Sequence, residues 1–281
     1  MRHGGFRGIG FAAALTALAG CRASITIGGR AEEEFNESAA FEDVGSLEVD
    51  WRNGAVTVRF DDTATQITAR GTKVVLAASP EAAEAAMDQF SIEWLTRESF
   101  PLQLVLRFDA PQQNATYRAD VEVVVPAAVA LTITSDDGNV EVDGNQDDTA
   151  VNLDNGSVTV EDQRGPTTVV VDTGDVQVTS RDGGVDVQVD TGRIDLDARP
   201  LAEDAVRART QVGAVVIRVP ADFAASLQLE ADVGLVSTDL SEFTVTNLVS
   251  HLRSVSATLN GGGGRITGTS DVGNVLFSSL D

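Results

Sequence analysis

The residues that could carry catalytic chemistry are few in this chain. The only histidines are His3 and His251, and the only cysteine is Cys21. A serine hydrolase needs a base held beside its nucleophile, and Ser250 next to His251 offers such a pair. No nucleophile-elbow motif surrounds any serine, and a zinc site needs several His or Cys ligands. The sequence therefore predicts no catalytic residues and no metal site built on His or Cys, with His251 on a solvated loop or strand.

Carboxylates are abundant enough that an enzyme acting on polysaccharides stays open as an alternative. Glycoside hydrolysis needs two carboxyl groups about 5–10 Å apart. Lyases on β-helix folds usually need a basic residue to abstract a proton, and three arginines could lie near one another. The competing explanation is that they pair with neighbouring aspartates, which we favour. These arginines are Arg181, Arg193 and Arg199.

The main prediction is that the chain binds no cofactor. Calcium is the one cofactor that the abundant carboxylates suggest as an alternative. Aspartates cluster at predicted turns, and hard cations take oxygen ligands. Stacked turns would bring like charges within about 4.8 Å, and a cation would relieve the repulsion. However, the nonapeptide calcium repeat is absent, and aspartate is itself a good turn residue. The aspartates concerned are Asp136, Asp137, Asp143, Asp147, Asp148, Asp154, Asp172, Asp175, Asp182 and Asp190.

The N-terminus resembles an export signal that ends at Cys21. A short basic start precedes an uncharged apolar stretch at residues 9–19, which is too short to span a membrane as a helix. Leu18-Ala19-Gly20-Cys21 resembles the bacterial lipobox, with cleavage between Gly20 and Cys21 and lipidation of the Cys21 thiol. Acyl chains anchor a protein because each buried CH₂ contributes about 0.8 kcal/mol. A simple secretory signal with an incidental cysteine is the alternative.

The rest of the chain is dominated by a repeated motif in which a turn glycine precedes an alternating strand. From Gly138 to Gly192 the glycines are 18 residues apart, the next two steps are 21, and the last is 39. The step of 39 predicts two rungs, one of which lacks the motif. Each period also holds a second alternating strand, such as Val151 and Leu153. The motif glycines are Gly54, Gly138, Gly156, Gly174, Gly192, Gly213, Gly234 and Gly273.

These elements predict an all-β fold. We expect a β-solenoid or flattened β-roll with two-strand rungs of about 18–21 residues, because one rung cannot bury its own apolar face. An antiparallel β-sandwich is the alternative. One short helix is expected near residues 80–89, with Ser79 as N-cap and Pro80 in its first turn, as a lid or cap on the sheet. The predicted organisation is a signal peptide at 1–20, lipidated Cys21 with a flexible tether at 21–40, and the repeat domain at 41–281.

The order of these elements resembles the bacterial "putative adhesin" β-strand-repeat family over about residues 41–281. The resemblance depends on Ile67-Thr-Ala-Arg-Gly71, the Ala/Glu helix, Arg118 to Pro126, and the Asn-Gly-x-Val-x-Val ladder. It implies a β-strand-repeat fold with no agreed catalytic residues. The chain departs from the pattern where a valine replaces the usual Asn, Asp or Thr before the glycine, which puts the turn geometry in question. These valines are Val212, Val233 and Val272.

The net charge limits the kinds of partner that the chain can bind. The chain has 43 acidic and 20 basic residues and a formal net charge of −23, which argues against nucleic acid and unaided binding to anionic lipid. We expect a non-enzymatic, surface-anchored lipoprotein that binds cell-surface polysaccharide or an envelope protein, or acts as a scaffold. A polysaccharide lyase or hydrolase and an accessory protein of envelope-stress sensing are the alternatives. The expected location is the cell envelope: the outer membrane where there is one, otherwise the outer face of the cell membrane.

Overall fold

The computed structural model describes residues 28–42, 44–97, 102–111 and 115–280, to which all structural statements refer. Gly20, Cys21 and the signal segment lie outside these residues. The described chain is almost entirely β, as predicted, and holds no helix long and apolar enough to cross a bilayer. The elements are β1 Gly29–Ala39, β2 Val44–Asn53, β3 Val56–Phe60, β4 Ile67–Ala77, α1 Pro80–Met87, β5 Ser91–Arg97, β6 Leu102–Asp109, β7 Ala115–Val125, β8 Ala130–Asp137, β9 Val140–Asp143, β10 Thr149–Asn155, β11 Val158–Gln163, β12 Thr167–Thr173, β13 Val176–Ser180, β14 Val185–Thr191, β15 Ile194–Ala198, β16 Ala205–Val212, β17 Val215–Pro220, β18 Ala225–Val233, β19 Val236–Thr238, β20 Val245–His251, β21 Ser254–Leu259, β22 Gly264–Val272 and β23 Val275–Leu280.

The strands form two large mixed sheets. Sheet A has the order β1-β4-β7-β3-β9-β11-β13-β15-β17-β23-β19, and sheet B has the order β20-β21-β18-β22-β16-β14-β12-β10-β8-β2-β6-β5. Pairing is parallel through the repeats and antiparallel near the ends. The inward side chains of both sheets form one hydrophobic core. The two sheets pack face to face. Gly268 of sheet B shows how close they are, since a Cβ added there would lie 3.1 Å from side-chain atoms of Ile217 and Val275 in sheet A.

The period of 18 residues sets the register between neighbouring strands. Val151 pairs with Val169 in sheet B, and Val158 pairs with Val176 in sheet A. From β8 to β17, successive strands along the chain alternate between the two sheets. Most of the valines, isoleucines and leucines of β8 to β17 therefore lie in the core, and most of the polar residues lie outside.

The glycine turns stack directly on one another. Gly174 has φ +150°, and a Cβ there would lie 1.6 Å from the carbonyl oxygen of Gly156. Glycine is therefore needed both for the backbone conformation and for the close approach of the next rung. Gly213, Gly234 and Gly273 have φ of 151–153°, close to the 149–150° of Gly174 and Gly192, so a valine before the glycine gives the same turn geometry as a threonine.

The sequence predicts that the 39 residues from Gly234 to Gly273 hold two rungs, one of which lacks the glycine motif. This prediction is wrong. The chain instead forms a hairpin, β20 and β21, that pairs antiparallel with β18 at one end of sheet B. It then returns, and β22 and β23 insert between strands that come earlier in the chain. β22 lies between β16 and β18, and β23 lies between β17 and β19. We call this end of the molecule, residues 205–280, the tip.

The prediction of a flexible tether as far as residue 40 is wrong for residues 29–39. They form β1, which pairs antiparallel with β4 along its whole length. Its Ala31, Phe35 and Ala39 pack against the core, which stabilises a strand that is otherwise acidic and exposed. The repeat domain therefore begins at β1 and not at residue 41.

The predicted helix is present. Ser79 caps it by accepting a hydrogen bond from the Ala82 N–H at 3.2 Å, and Pro80 lies in its first turn. It ends at Met87, two residues earlier than predicted. It packs on β1 and β4, with Ala83 and Met87 buried, and so covers the end of sheet A.

Candidate functional site

The residues considered for catalysis do not form a catalytic group in the described chain. His251 is the last residue of the edge strand β20 and is exposed, as is Ser250. Arg181 Nε lies 2.7 Å from Asp162 Oδ1, and Arg193 Nη2 lies 2.6 Å from Asp195 Oδ2. These two arginines thus pair with aspartates, which is the explanation favoured from the sequence.

Four of the turn aspartates form a row along sheet B. Asp136, Asp154, Asp172 and Asp190 occupy the same register position on β8, β10, β12 and β14; we call them the aspartate row. Burial raises the pKa of Asp136, the negative charge of Asp154 raises it further, and Arg52 partly opposes both. Within the described ranges no group of three or more His, Cys, Asp or Glu side chains is arranged to hold a metal ion.

A groove of about 760 Å³ crosses β1, β4, β7 and β3 of sheet A. Two rows of outward side chains border it, and each row runs from strand to strand at one register position. One row is Glu34, Thr72 and Asp120, and the other is Asn36, Arg70, Glu122 and Thr57. Phe35, Gly71 and Val121 lie between the rows. The groove therefore follows a straight line across the strands.

Gly71 keeps the strands close along the middle of this groove. A Cβ on Gly71 would lie 1.9 Å from the Asp120 carbonyl oxygen and 2.9 Å from the Phe35 ring. No larger residue fits there without moving β7 or Phe35.

Ion pairs fix the charged side chains of the groove. Arg70 Nη2 lies 2.7 Å and Arg59 Nη1 lies 3.7 Å from Glu122. Asp120 Oδ1 accepts hydrogen bonds from the Ala55 N–H at 2.8 Å and from Arg118 Nη2 at 2.9 Å. Three carboxylates line the groove, Glu34, Asp120 and Glu122, and Arg70 lines it with them. With the flanking Arg59 and Arg118 counted, three arginines face the three carboxylates, so the groove region is close to charge balance although the whole chain is strongly acidic.

The sequence did not point to this groove. Its first wall lies on β1, which the sequence pattern predicts as part of a tether, and β4 and β7 are about fifty residues apart in the chain. The one local signal is the regular placement of Ala31, Phe35 and Ala39 within an acidic segment. The antiparallel pairings that form the groove cannot be inferred from the parallel repeat.

No protein-family model matches the chain. No curated protein matches it either. Three similar solved structures are a "putative cell adhesion protein" from Clostridium sporogenes, a "putative adhesin" from Bacteroides fragilis and a "putative lipid binding protein" from Parabacteroides distasonis. Their identities are 8%, 14% and 10%, and their TM-scores are 0.35, 0.42 and 0.41. The matches cover 89%, 88% and 90% of this chain and 100%, 97% and 97% of those chains. The first two names match the family that the sequence resembles, but likeness at this level carries no argument about function.

Proposed function

We propose that this chain is a non-enzymatic binding protein of the bacterial cell envelope that holds a neutral polysaccharide in the groove across β1, β4, β7 and β3. The observation that carries the proposal is the pair of polar rows along a straight, charge-balanced groove. Amide, hydroxyl, carboxylate and guanidinium groups can all bond sugar hydroxyls. A polymer that is itself strongly anionic would be repelled by the surrounding acidic surface.

The length and direction of the groove favour an extended ligand. Four adjacent strands span three interstrand spacings, roughly 14 Å. Paired arginines and carboxylates are already held in place, so less side-chain entropy is lost when a ligand binds. Arg181 and Arg193, which the enzyme alternative would use, are engaged by aspartates, and this supports the non-enzymatic form of the proposal.

We also propose that the repeat region is a β-solenoid held at the membrane through lipidated Cys21. The parallel 18-residue register supports the solenoid. β1 begins eight residues after Cys21, so the groove would lie near the bilayer, and a ladder of eleven strands would place the tip roughly 48 Å farther along the stack. The outer membrane, or the outer face of the cell membrane where there is no outer membrane, remains the proposed location.

The test is retention on neutral and acidic polysaccharide fractions from the host envelope, with polymer length measured in the same sample. The blocking variant is Thr57→Trp, which fills the groove. Its control is Thr159→Trp, at the same register position two strands along sheet A but outside the groove. Every sample is the full chain carrying Cys21→Ser.

We expect retention on the neutral fraction that falls at least tenfold in Thr57→Trp and is unchanged in Thr159→Trp. No retention on the neutral fraction, or equal loss in both variants, would contradict the groove proposal. Shortening of the polymer would contradict the non-enzymatic part.

A further inference from the structure

The tip carries an exposed apolar patch. Of the ten large hydrophobic side chains that are well exposed in the described chain, eight lie between residues 212 and 276. Three are valines at one register position on β16, β22 and β18, where Val272 pairs with both Val212 and Val233. The main-chain bond from Val236 N to Leu252 O brings Leu252 beside them. We define the tip patch as Val212, Val233, Leu235, Leu252, Val272 and Leu276.

The fold does not require the three valines. Thr173 and Thr191 occupy the same position in earlier rungs, and the turns that follow have φ of 149–153° whether a threonine or a valine precedes the glycine. The valines are 48–59% exposed, so they contribute little to the core. Their apolar surface is therefore left unexplained by the packing of the chain itself.

Charge separates the tip from the rest of the molecule. Residues 28–204 contain 36 acidic and 12 basic side chains, whereas residues 205–280 contain six and five. Two copies of this chain would repel one another along most of their surface. The tip is the region where two copies can meet without that repulsion.

The strand edges at the two ends differ in the same way. β1, at one edge of sheet A, has the consecutive glutamates Glu32, Glu33 and Glu34, the kind of charge that keeps an edge strand from pairing with other chains. β20, at the tip edge of sheet B, has no Asp, Glu, Lys or Arg and exposes Leu248 and Val249 by 52% and 51%. β20 thus lacks the charged side chains that keep β1 from pairing with strands of other chains.

We propose that the tip binds a second copy of this chain in a closed two-fold dimer. A two-fold axis brings the same patch of both copies together. Because the patch lies within residues 205–280, contact through it leaves the acidic residues 28–204 of both copies outside the interface, so apolar contact is gained with little charge repulsion. This inference does not depend on the polysaccharide groove, which lies at the other end of sheet A.

The test is the mass of the protein by sedimentation equilibrium over a wide range of concentrations. The disrupting variant is Val212→Thr/Val233→Thr/Val272→Thr, which restores the residue found in earlier rungs and so preserves the turns. The control is Leu76→Thr, which makes an equally exposed apolar residue polar on β4, far from the tip. Every sample is the full chain carrying Cys21→Ser, so the N-terminal segment is common to all.

We expect the parent protein and Leu76→Thr to dimerise, and the triple variant to dimerise at least tenfold more weakly with an unchanged circular dichroism spectrum. A parent protein that stays monomeric at all concentrations would overturn the proposal. Equal dimerisation of the triple variant, or open-ended growth into filaments, would overturn it as well.

Discussion

At the scale of single residues, several strands have a buried residue three positions before the turn glycine. In some strands this residue is a serine or threonine, whose hydroxyl needs a hydrogen-bond partner inside the core. Ser270 Oγ donates a hydrogen bond to the Gly213 carbonyl oxygen at 2.9 Å, and Thr210 Oγ1 donates to the Gly192 carbonyl oxygen at 3.2 Å. Ser135 occupies the same position and is 1% exposed, yet its hydroxyl has no hydrogen-bond partner in the described chain. Two serines in equivalent sites thus have opposite effects on stability.

Replacing each serine by alanine should therefore change stability in opposite directions. Ser135→Ala removes an unpaired buried hydroxyl and should raise the free energy of unfolding by about 1 kcal/mol. Ser270→Ala removes a made hydrogen bond and should lower it by about 1 kcal/mol. Urea unfolding of the two variants beside the parent measures both changes. A loss of stability in Ser135→Ala equal to that in Ser270→Ala would contradict the assignment.

Asp136 should make stability depend on pH. Its pKa is raised above the ordinary value of 3.8 by burial and by Asp154, so the folded chain binds this proton more tightly than the unfolded chain does. The resulting stability is present below pH 3.8 and is lost as the pH rises through the raised pKa. Because Asp136 is exposed and solvent screens its charge, Asp136→Asn should be only slightly more stable than the parent at neutral pH, by about 0.2–1 kcal/mol.

The measurement for Asp136 is the free energy of unfolding of both proteins across this range. The difference between them should vanish below pH 3.8. Asp154→Asn provides a second check, because removing its charge should lower the pKa of Asp136 and flatten the same part of the pH profile. A constant difference at all pH values would show that Asp136 is not responsible.

Among the elements, the stacked glycine turns set the spacing of the rungs. Gly174→Ala would place a Cβ 1.6 Å from the Gly156 oxygen, so two rungs would have to separate. Gly261→Ala is the matched control, because Gly261 also has a positive φ of 92° but no atom lies within 4 Å of the added Cβ. The control should cost about 1–2 kcal/mol from backbone strain alone, and Gly174→Ala should cost more or prevent folding. Thermal unfolding ranks the two variants, and equal costs would contradict the stacking argument.

The edge strand β1 is held in part by an ion pair between exposed Glu33 and buried Lys73. Lys73, the only lysine of the chain, is 8% exposed; its Nζ lies 2.6 Å from Glu33 Oε1 and 3.2 Å from the Phe90 carbonyl oxygen. Glu33→Gln would leave this charge with a weaker partner and should lower the free energy of unfolding by about 1–2 kcal/mol. Glu37→Gln, on the same strand, should change it little. Chemical unfolding of both variants tests this, and equal effects would assign the loss to net charge instead of to Lys73.

The sequence predicted those elements whose partners follow from the repeat. Strands around Val158 and Val176 share a pattern and a period, so pattern and register could both be inferred. β1 could not be recognised as a strand, because the acidic residues between Ala31, Phe35 and Ala39 make the segment look like a solvated linker. Its pairing with β4 is antiparallel, so the parallel repeat does not predict that partner either. The groove was missed with it, because an antiparallel contact between distant strands leaves no local signal.

For the whole molecule, charge is concentrated in one part of the ladder. Because residues 28–204 hold 36 acidic and 12 basic side chains, any added salt should stabilise the fold by screening repulsion. We predict that calcium chloride and sodium chloride raise the melting temperature equally at matched ionic strength. A larger effect of calcium, removed by a chelator and by Asp154→Asn, would instead indicate a bound ion at the aspartate row and would contradict the prediction of no cofactor.

The insertion of β22 and β23 between earlier strands affects the order of assembly. β18 and β19 pair with the rest of their sheets only through β22 and β23, which follow them in the chain. While the chain is being synthesised, the rungs up to β17 can stack as they emerge, but β18 and β19 cannot join their sheets until β22 and β23 are present. The ladder is thus completed only after residues 264–280 have been synthesised, and a chain interrupted before residue 264 would lack the strands that join β18 and β19 to β16 and β17.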